Sequence, residues 1–328
     1  MKEKNVLLFR IGTLVSVFLA IAASVLYAVS YKSFYDTSIR HFDSSAAVTA
    51  FVVFAVLTSL FVLGFSFCFK RQKMVEQGAN QIESFVLWLC AFMFICYGVL
   101  TIASPAAPAY AVEAVSPLAA FSAKVIGPLA LLSAVPFVCA VSDRFRGSFV
   151  HGATSFVPVI WGVFLLFKYY FDLEEMPLND PELAVTTLCV AAILVFMLSE
   201  SRSALGVASA PLYWLGSVSA FGISGGISTA RIVLGIIADH SIPSLMENVI
   251  FFSVSALALT RIISFESRLA EDEVREVITD EAYADEDADK GVIAYIDEDG
   301  TCVYVDDEKA DVAETPADAE SESPAEEA

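Results

Sequence analysis

The chain has 328 residues, of which 57% are hydrophobic and 18% charged, and its mean hydropathy is +0.67. Soluble domains are about one-quarter charged, so this composition argues against a soluble globular protein and favours a membrane protein. Residues 1–263 hold 15 acidic and 15 basic side chains, whereas residues 264–328 hold 24 acidic and four basic ones. The net charge of −20 therefore belongs to the C-terminal tail. Nucleic acid is disfavoured as a partner because no basic patch is present.

Eight apolar runs have the length and composition of membrane-spanning helices, which need about 20 residues. They cover residues 11–31, 44–69, 85–102, 118–141, 149–171, 183–199, 212–239 and 245–265. We therefore predict an all-α fold, a polytopic integral membrane helix bundle with about eight transmembrane helices in a domain of residues 1–265. The sixth run has only 17 residues, so its crossing of the membrane is the least secure.

Lysine and arginine are unevenly distributed between the two sides of these runs, and they accumulate on the cytoplasmic side of membrane proteins. With the N-terminus inside, eleven lie on the inner side: Lys2, Lys4, Arg10, Lys70, Arg71, Lys73, Arg144, Arg146, Arg202, Arg261 and Arg268. Five lie on the outer side or at outer span ends: Lys32, Arg40, Lys124, Lys168 and Arg231. We predict that both termini are cytoplasmic and that the bilayer is the plasma membrane of a prokaryotic cell, because no organelle-targeting signal is visible.

The seventh run is rich in small residues at a helical spacing. One series is Gly216, Ala220, Ser224 and Ser228, and a second is Gly222, Gly226 and Ala230. Two adjacent helix faces therefore lack bulk, which allows neighbouring helices to approach closely and predicts a central position for this helix. A second interpretation is a helix broken at Gly222, Gly225 and Gly226, whose free backbone groups bind a substrate or an ion.

Arg231 is the full charge inside the seventh run. It either reaches the outer interface or points into the bundle, where an unpaired charge is unfavourable. Asp239 and Glu247 are the acidic residues nearest to it in sequence and topology. We predict that Arg231 points inward and forms a salt bridge with Asp239 or Glu247. Glu247 and Arg261, near opposite ends of the eighth run, can both extend to the interfaces.

Residues 266–328 form a predicted acidic cytoplasmic tail. A helical pattern continues through Leu269 to about Ile278, and the acidic, apolar-poor composition beyond Thr279 predicts disorder. Two β-prone runs flank an Asp-Glu-Asp-Gly turn and predict a hairpin at 292–305. The hairpin and the charge make this tail a candidate for binding a cytoplasmic protein partner by strand addition.

No motif points to catalysis or to a cofactor. The six cysteines form no CxxC pair, the three histidines are scattered, and glycine-rich nucleotide loops and a GxSxG elbow are absent. We therefore expect no catalytic, cofactor or metal site. The first functional hypothesis is a non-enzymatic sensor or scaffold with a partner-binding tail. The alternative is a transporter of a small anionic solute that uses Arg231 and the glycine-rich seventh span, and an intramembrane enzyme has the least support.

Overall fold

The apolar runs form long helices connected by short segments. A computed structural model describes residues 2–36, 41–43, 45–69, 73–74, 78–103, 117–171, 181–238, 242–269, 293–296 and 302–305. Its helices are α1 (Lys2–Phe34), α2 (Ala46–Ser66), α3 (Gln81–Ala103), α4 (Pro117–Val141), α5 (Phe149–Thr154), α6 (Val157–Phe171), α7 (Pro181–Ala204), α8 (Ala210–Ser219), α9 (Gly226–Ala238), α10 (Ile242–Ile263) and α11 (Phe265–Arg268). A π-helical turn, Ala220–Gly225, joins α8 to α9.

Among the described residues, eight helical segments are long and apolar enough to cross a membrane. Numbered as spans one to eight, they are Val6–Phe34, Ala46–Ser66, Gln81–Ala103, Phe121–Val141, Phe149–Tyr169, Pro181–Ala204, Ala210–Ile236 and Leu245–Ile263. Their backbone groups are paired within the helices, as a hydrocarbon environment requires. The predicted all-α membrane bundle is confirmed. Its outer surface exposes large apolar side chains such as Phe18, Trp88 and Phe92, which suits contact with lipid rather than with water.

Span six is longer than its apolar run. Helix α7 has 24 residues and extends past the run at both ends, so it includes Glu182 in its first turn and Glu200 near its end. Pro181 is favourable at the first helical position, where a backbone N–H has no partner within the helix. The length exceeds the approximately 20 residues that a span needs. The helix predicted here is confirmed.

Aromatic rings fill the contacts among spans three, four and five. The ring of Phe94 stacks on Phe137 with 5.5 Å between centroids, and it meets Trp161 edge-on at 4.9 Å. Lipid chains are as apolar as these rings, so close packing rather than removal from water stabilises the contacts. The thiol of Cys90 also donates to the carbonyl oxygen of Ser253 at 3.3 Å, which joins spans three and eight near their middle.

Span seven occupies a central position, as its small residues predict. It contacts spans one, two, six and eight. A methyl group at Gly216 would lie 2.9 Å from the Cα atom of Phe196, closer than real side chains approach. Glycine at this position therefore allows the backbones of spans six and seven to pack directly against each other.

The chain divides into two compact units, residues 1–271 and 272–328. The first also contains a two-residue strand pair, β1 (Tyr35–Asp36) with β2 (His41–Phe42). Helix α11 ends at Arg268 and Leu269 is extended, so the helix predicted to continue through Leu269 stops earlier. Residues 270–278, and the tail predicted to be disordered, lie outside the described residues, apart from two strands.

Those two strands belong to the second unit. Strand β3 (Ile293–Ile296) pairs antiparallel with β4 (Cys302–Val305), with Ile293 opposite Val305 and Ile296 opposite Cys302. This register is that of the hairpin expected at 292–305. A two-stranded ribbon has an unpaired backbone edge on each side, and such an edge can receive a further strand.

Candidate functional site

Arg231 lies at the end of the bundle opposite the N-terminus, where spans one, six and seven meet. Its Nη2 donates to Glu182 Oε1 at 2.6 Å and to Thr186 Oγ1 at 2.7 Å, and its Nε donates to the Tyr27 hydroxyl at 2.9 Å. Glu182 and Thr186 are one helical turn apart, so both side chains face the same neighbour. The Tyr27 hydroxyl in turn donates to both Glu182 oxygens, at 3.0 and 2.9 Å.

The predicted inward direction of Arg231 is confirmed, because its side chain is only 12% exposed. Among the described residues its acidic partner is Glu182, which lies far away in sequence at the start of span six. The predicted pairing with Glu247 is wrong, because Glu247 binds Lys168 instead. Asp239, the other predicted partner, lies outside the described residues. The sequence signal for Glu182 was its position beside an apolar run, but neighbouring spans cannot be identified from hydropathy alone.

Glu247 forms a second buried cluster at the same end of the bundle, with residues of spans three and five. Lys168 Nζ lies 2.8 Å from Glu247 Oε1, and the Tyr97 hydroxyl donates to the same oxygen at 3.0 Å. The Tyr169 hydroxyl donates to Oε2. The carboxylate thus has three donors, which offset the loss of its hydration inside the bundle. The Glu247 side chain is buried.

A third ion-pair cluster lies at the N-terminal end of the bundle. Arg261 bonds to Glu83 and to Glu200, with 2.7 Å from Nη2 to Glu200 Oε2, and Arg268 Nη2 lies 2.9 Å from Glu83 Oε1. Glu83 is only 3% exposed. The Arg261 side chain is buried between spans three and six, where both carboxylates bind it. Sequence reasoning missed Glu83 and Glu200, which stood at the ends of apolar runs.

A small cavity of about 40 Å³ adjoins this third cluster. Its lining includes the cluster's four charged residues together with Arg146 and His151. Arg146 donates to the Ala140 carbonyl oxygen at 3.1 and 2.9 Å and to Asp143 at 2.9 Å. A water molecule needs at least about 10–15 Å³ and two to four polar partners, so this cavity suits one to a few water molecules.

The glycine-rich part of span seven remains helical, so the interpretation of a helix broken at Gly222, Gly225 and Gly226 is wrong. The π-helical turn connects two α-helices, and the Gly226 N–H bonds to the carbonyl groups of Gly222 and Ile223. The Ala220 carbonyl oxygen accepts a hydrogen bond from Ser255 Oγ of span eight at 2.8 Å. The widened turn therefore has a specific partner instead of backbone groups open to a substrate.

The three glycines allow close approach of two neighbours. A methyl group at Gly222 would lie 3.0 Å from the Ala20 Cβ of span one, and one at Gly226 would clash with the Ser24 hydroxyl of the same span. A methyl group at Gly225 would lie 3.0 Å from the Ser255 Cβ of span eight. Together with the close approach at Gly216, the contacts of Gly222 and Gly226 confirm the predicted close packing along two faces.

An apolar groove of about 450 Å³, which we call the lateral groove, runs along span seven between spans one and eight. Its lining comes from residues 17–28 of span one, residues 221–230 of span seven and residues 252–259 of span eight.

In the described parts of the chain, no three His, Cys, Asp or Glu side chains are placed to hold a metal ion. No known family model, curated protein or solved structure matches this chain.

Proposed function

We propose that this membrane protein is a non-enzymatic sensor or scaffold whose acidic C-terminal tail binds a cytoplasmic protein partner. The main support is that the Arg231 side chain is already bound within the protein. In the alternative hypothesis, solute binding depends on this residue. Its Nε and Nη2 groups are engaged by Tyr27, Glu182 and Thr186 inside the bundle. An anionic solute would have to displace a carboxylate that is already in contact with the guanidinium.

The tail supplies the element for a partner. It follows the last span as a separate compact unit and contains the β3–β4 hairpin. Strand addition to a hairpin edge provides backbone hydrogen bonds, and the acidic residues of the tail favour a partner with a basic surface. In this proposal both termini are cytoplasmic, as the distribution of lysine and arginine predicts. The bilayer is a prokaryotic plasma membrane, because no organelle-targeting signal is visible in the sequence.

Truncations of the full chain in its native membrane test the role of the tail. We expect chemical cross-linking to yield a discrete partner with the full chain and with a chain ending at residue 305, which keeps the hairpin. A chain ending at residue 271, which lacks both the hairpin and the acidic end, should lose that partner. An unchanged cross-linking pattern after truncation at residue 271 would contradict the proposal.

Reconstitution distinguishes this function from transport of an anionic solute. The purified chain in phosphatidylcholine vesicles should produce no flux of chloride, phosphate or small carboxylates above that of empty vesicles. Arg231→Lys, which keeps the charge but loses the planar fork of donors, serves as the matched variant. A flux that the unmodified chain supports and Arg231→Lys abolishes would favour the transporter instead.

A further inference from the structure

We propose that the lateral groove binds one acyl chain of a bilayer phospholipid. This site is independent of the proposed partner of the tail. The groove lies along the middle parts of spans one, seven and eight, at the depth of the hydrocarbon core. Acyl chains surround the protein at this depth, so no soluble ligand has to enter.

The chemistry of the lining favours hydrocarbon over a polar ligand. The groove contains three hydroxyl side chains, those of Ser24, Thr229 and Ser255. Each donates to a backbone carbonyl oxygen, at 2.8, 2.7 and 2.8 Å respectively. All three hydroxyl protons are therefore hydrogen-bonded within the protein. The surface that remains for an occupant of the groove is apolar.

The size of the groove suits an acyl chain. Residues 17–28 of span one rise about 17 Å along the helix axis, at ~1.5 Å per residue. A methylene group is comparable in size to a water molecule, and the groove has about 450 Å³ of space for an occupant, so a chain of methylene groups can lie along it.

The glycines of span seven account for the shape of the groove. Gly222 and Gly226 bring span one against one side of span seven, and Gly225 brings span eight against the other. The chain directly after span eight also meets span one at the N-terminal end of the bundle, where the Phe9 and Phe265 rings stack at 4.3 Å. The gap between the two spans therefore opens along their middle parts, and its floor carries little side-chain volume.

Photolabelling in a bilayer tests this proposal. The full chain is reconstituted in phosphatidylcholine vesicles that contain a small fraction of phosphatidylcholine with a diazirine in the middle of one acyl chain. Val25 in the groove is 57% exposed and Leu57 on the outer face of span two is 51% exposed, so ordinary lipid contact should label them similarly. We expect severalfold more label at Val25, because a bound chain stays beside it longer.

Two filling variants and one control complete the test. Ala256→Phe and Ala28→Phe place a ring in the groove from opposite walls, and each should lower the labelling of Val25 to that of Leu57. Ala123→Phe, at an exposed position of span four, should leave the ratio unchanged. Equal labelling of Val25 and Leu57 in the unmodified chain would overturn the proposal even if a filling variant does not fold. Cross-linking to a second copy of the chain, when a photoreactive amino acid replaces Val25, would overturn it too.

Discussion

Replacing Arg231 by alanine should destabilise the bundle strongly. The change leaves the Glu182 carboxylate inside the protein without its cation, and it removes the donors to Thr186 and Tyr27. Breaking a buried ion pair by removing one partner typically costs about 3–5 kcal/mol. Because both side chains are still 12% exposed, we expect the lower end of that range, about 3 kcal/mol of unfolding free energy.

A second change should recover part of this loss. Glu182→Gln in the Arg231→Ala background removes the uncompensated negative charge, so the double variant should be more stable than Arg231→Ala alone by about 1–2 kcal/mol. Glu247→Gln is the control. Its carboxylate is bound by Lys168, Tyr97 and Tyr169, so its effect should simply add to that of Arg231→Ala.

The measurement is a double-mutant cycle on the full chain purified in a single detergent. Unfolding is followed by titration with a denaturing detergent, and the midpoint is checked by thermal melting under the same conditions. Additive effects of Arg231→Ala and Glu182→Gln would refute the ion pair on which the argument rests. Rescue by Glu247→Gln instead would identify Glu247 as the acidic partner of Arg231.

Three further changes test other contacts. Glu83→Gln leaves two buried guanidinium groups without their shared carboxylate and should lower the unfolding free energy by about 3 kcal/mol or more in the same titration. Gly226→Ala should lower the melting temperature, because its methyl group clashes with Ser24. Adding Ser24→Ala should restore part of that melting temperature. Gly64→Ala is the control, because a methyl group there meets nothing within 4 Å and should be free of any clash. The Glu266 pKa is lowered by its hydrogen bond to Arg10. The small stability contribution of this exposed pair is therefore present at neutral pH and lost as the pH falls below the ordinary glutamate range. Melting of the unmodified chain and of Glu266→Gln should therefore differ at pH 7 and converge in acid, and an equal difference at both pH values would contradict the assignment.

Hydropathy was sufficient to predict the eight helices, because a membrane span needs a long uncharged stretch whatever its neighbours are. It misjudged the ends of span six, where Glu182 and Glu200 lie within the helix. A carboxylate at the end of an apolar run is read as a loop residue when its partner is unknown. Once a cation on another helix faces it, the helix can continue past the carboxylate without leaving a buried charge unpaired.

The positions of the small residues were also informative. They predicted close packing of span seven, because glycine at helical spacing permits backbone approach whichever helix the neighbour is. The partner of Arg231 could not be predicted in the same way. Distance along the chain favoured Asp239 and Glu247, whereas the pairing with Glu182 depends on spans six and seven lying side by side, and a single sequence carries no signal for that adjacency.

The links between spans three and eight determine where this bundle can move. Glu83 and Arg261 join the two helices near one end, Tyr97 and Glu247 join them near the other, and the Cys90 hydrogen bond lies between. Two helices held at three heights cannot slide or tilt relative to each other without exposing a buried charge. Spans three and eight are therefore expected to move as one rigid pair, because any shear between them would separate buried charges from their partners.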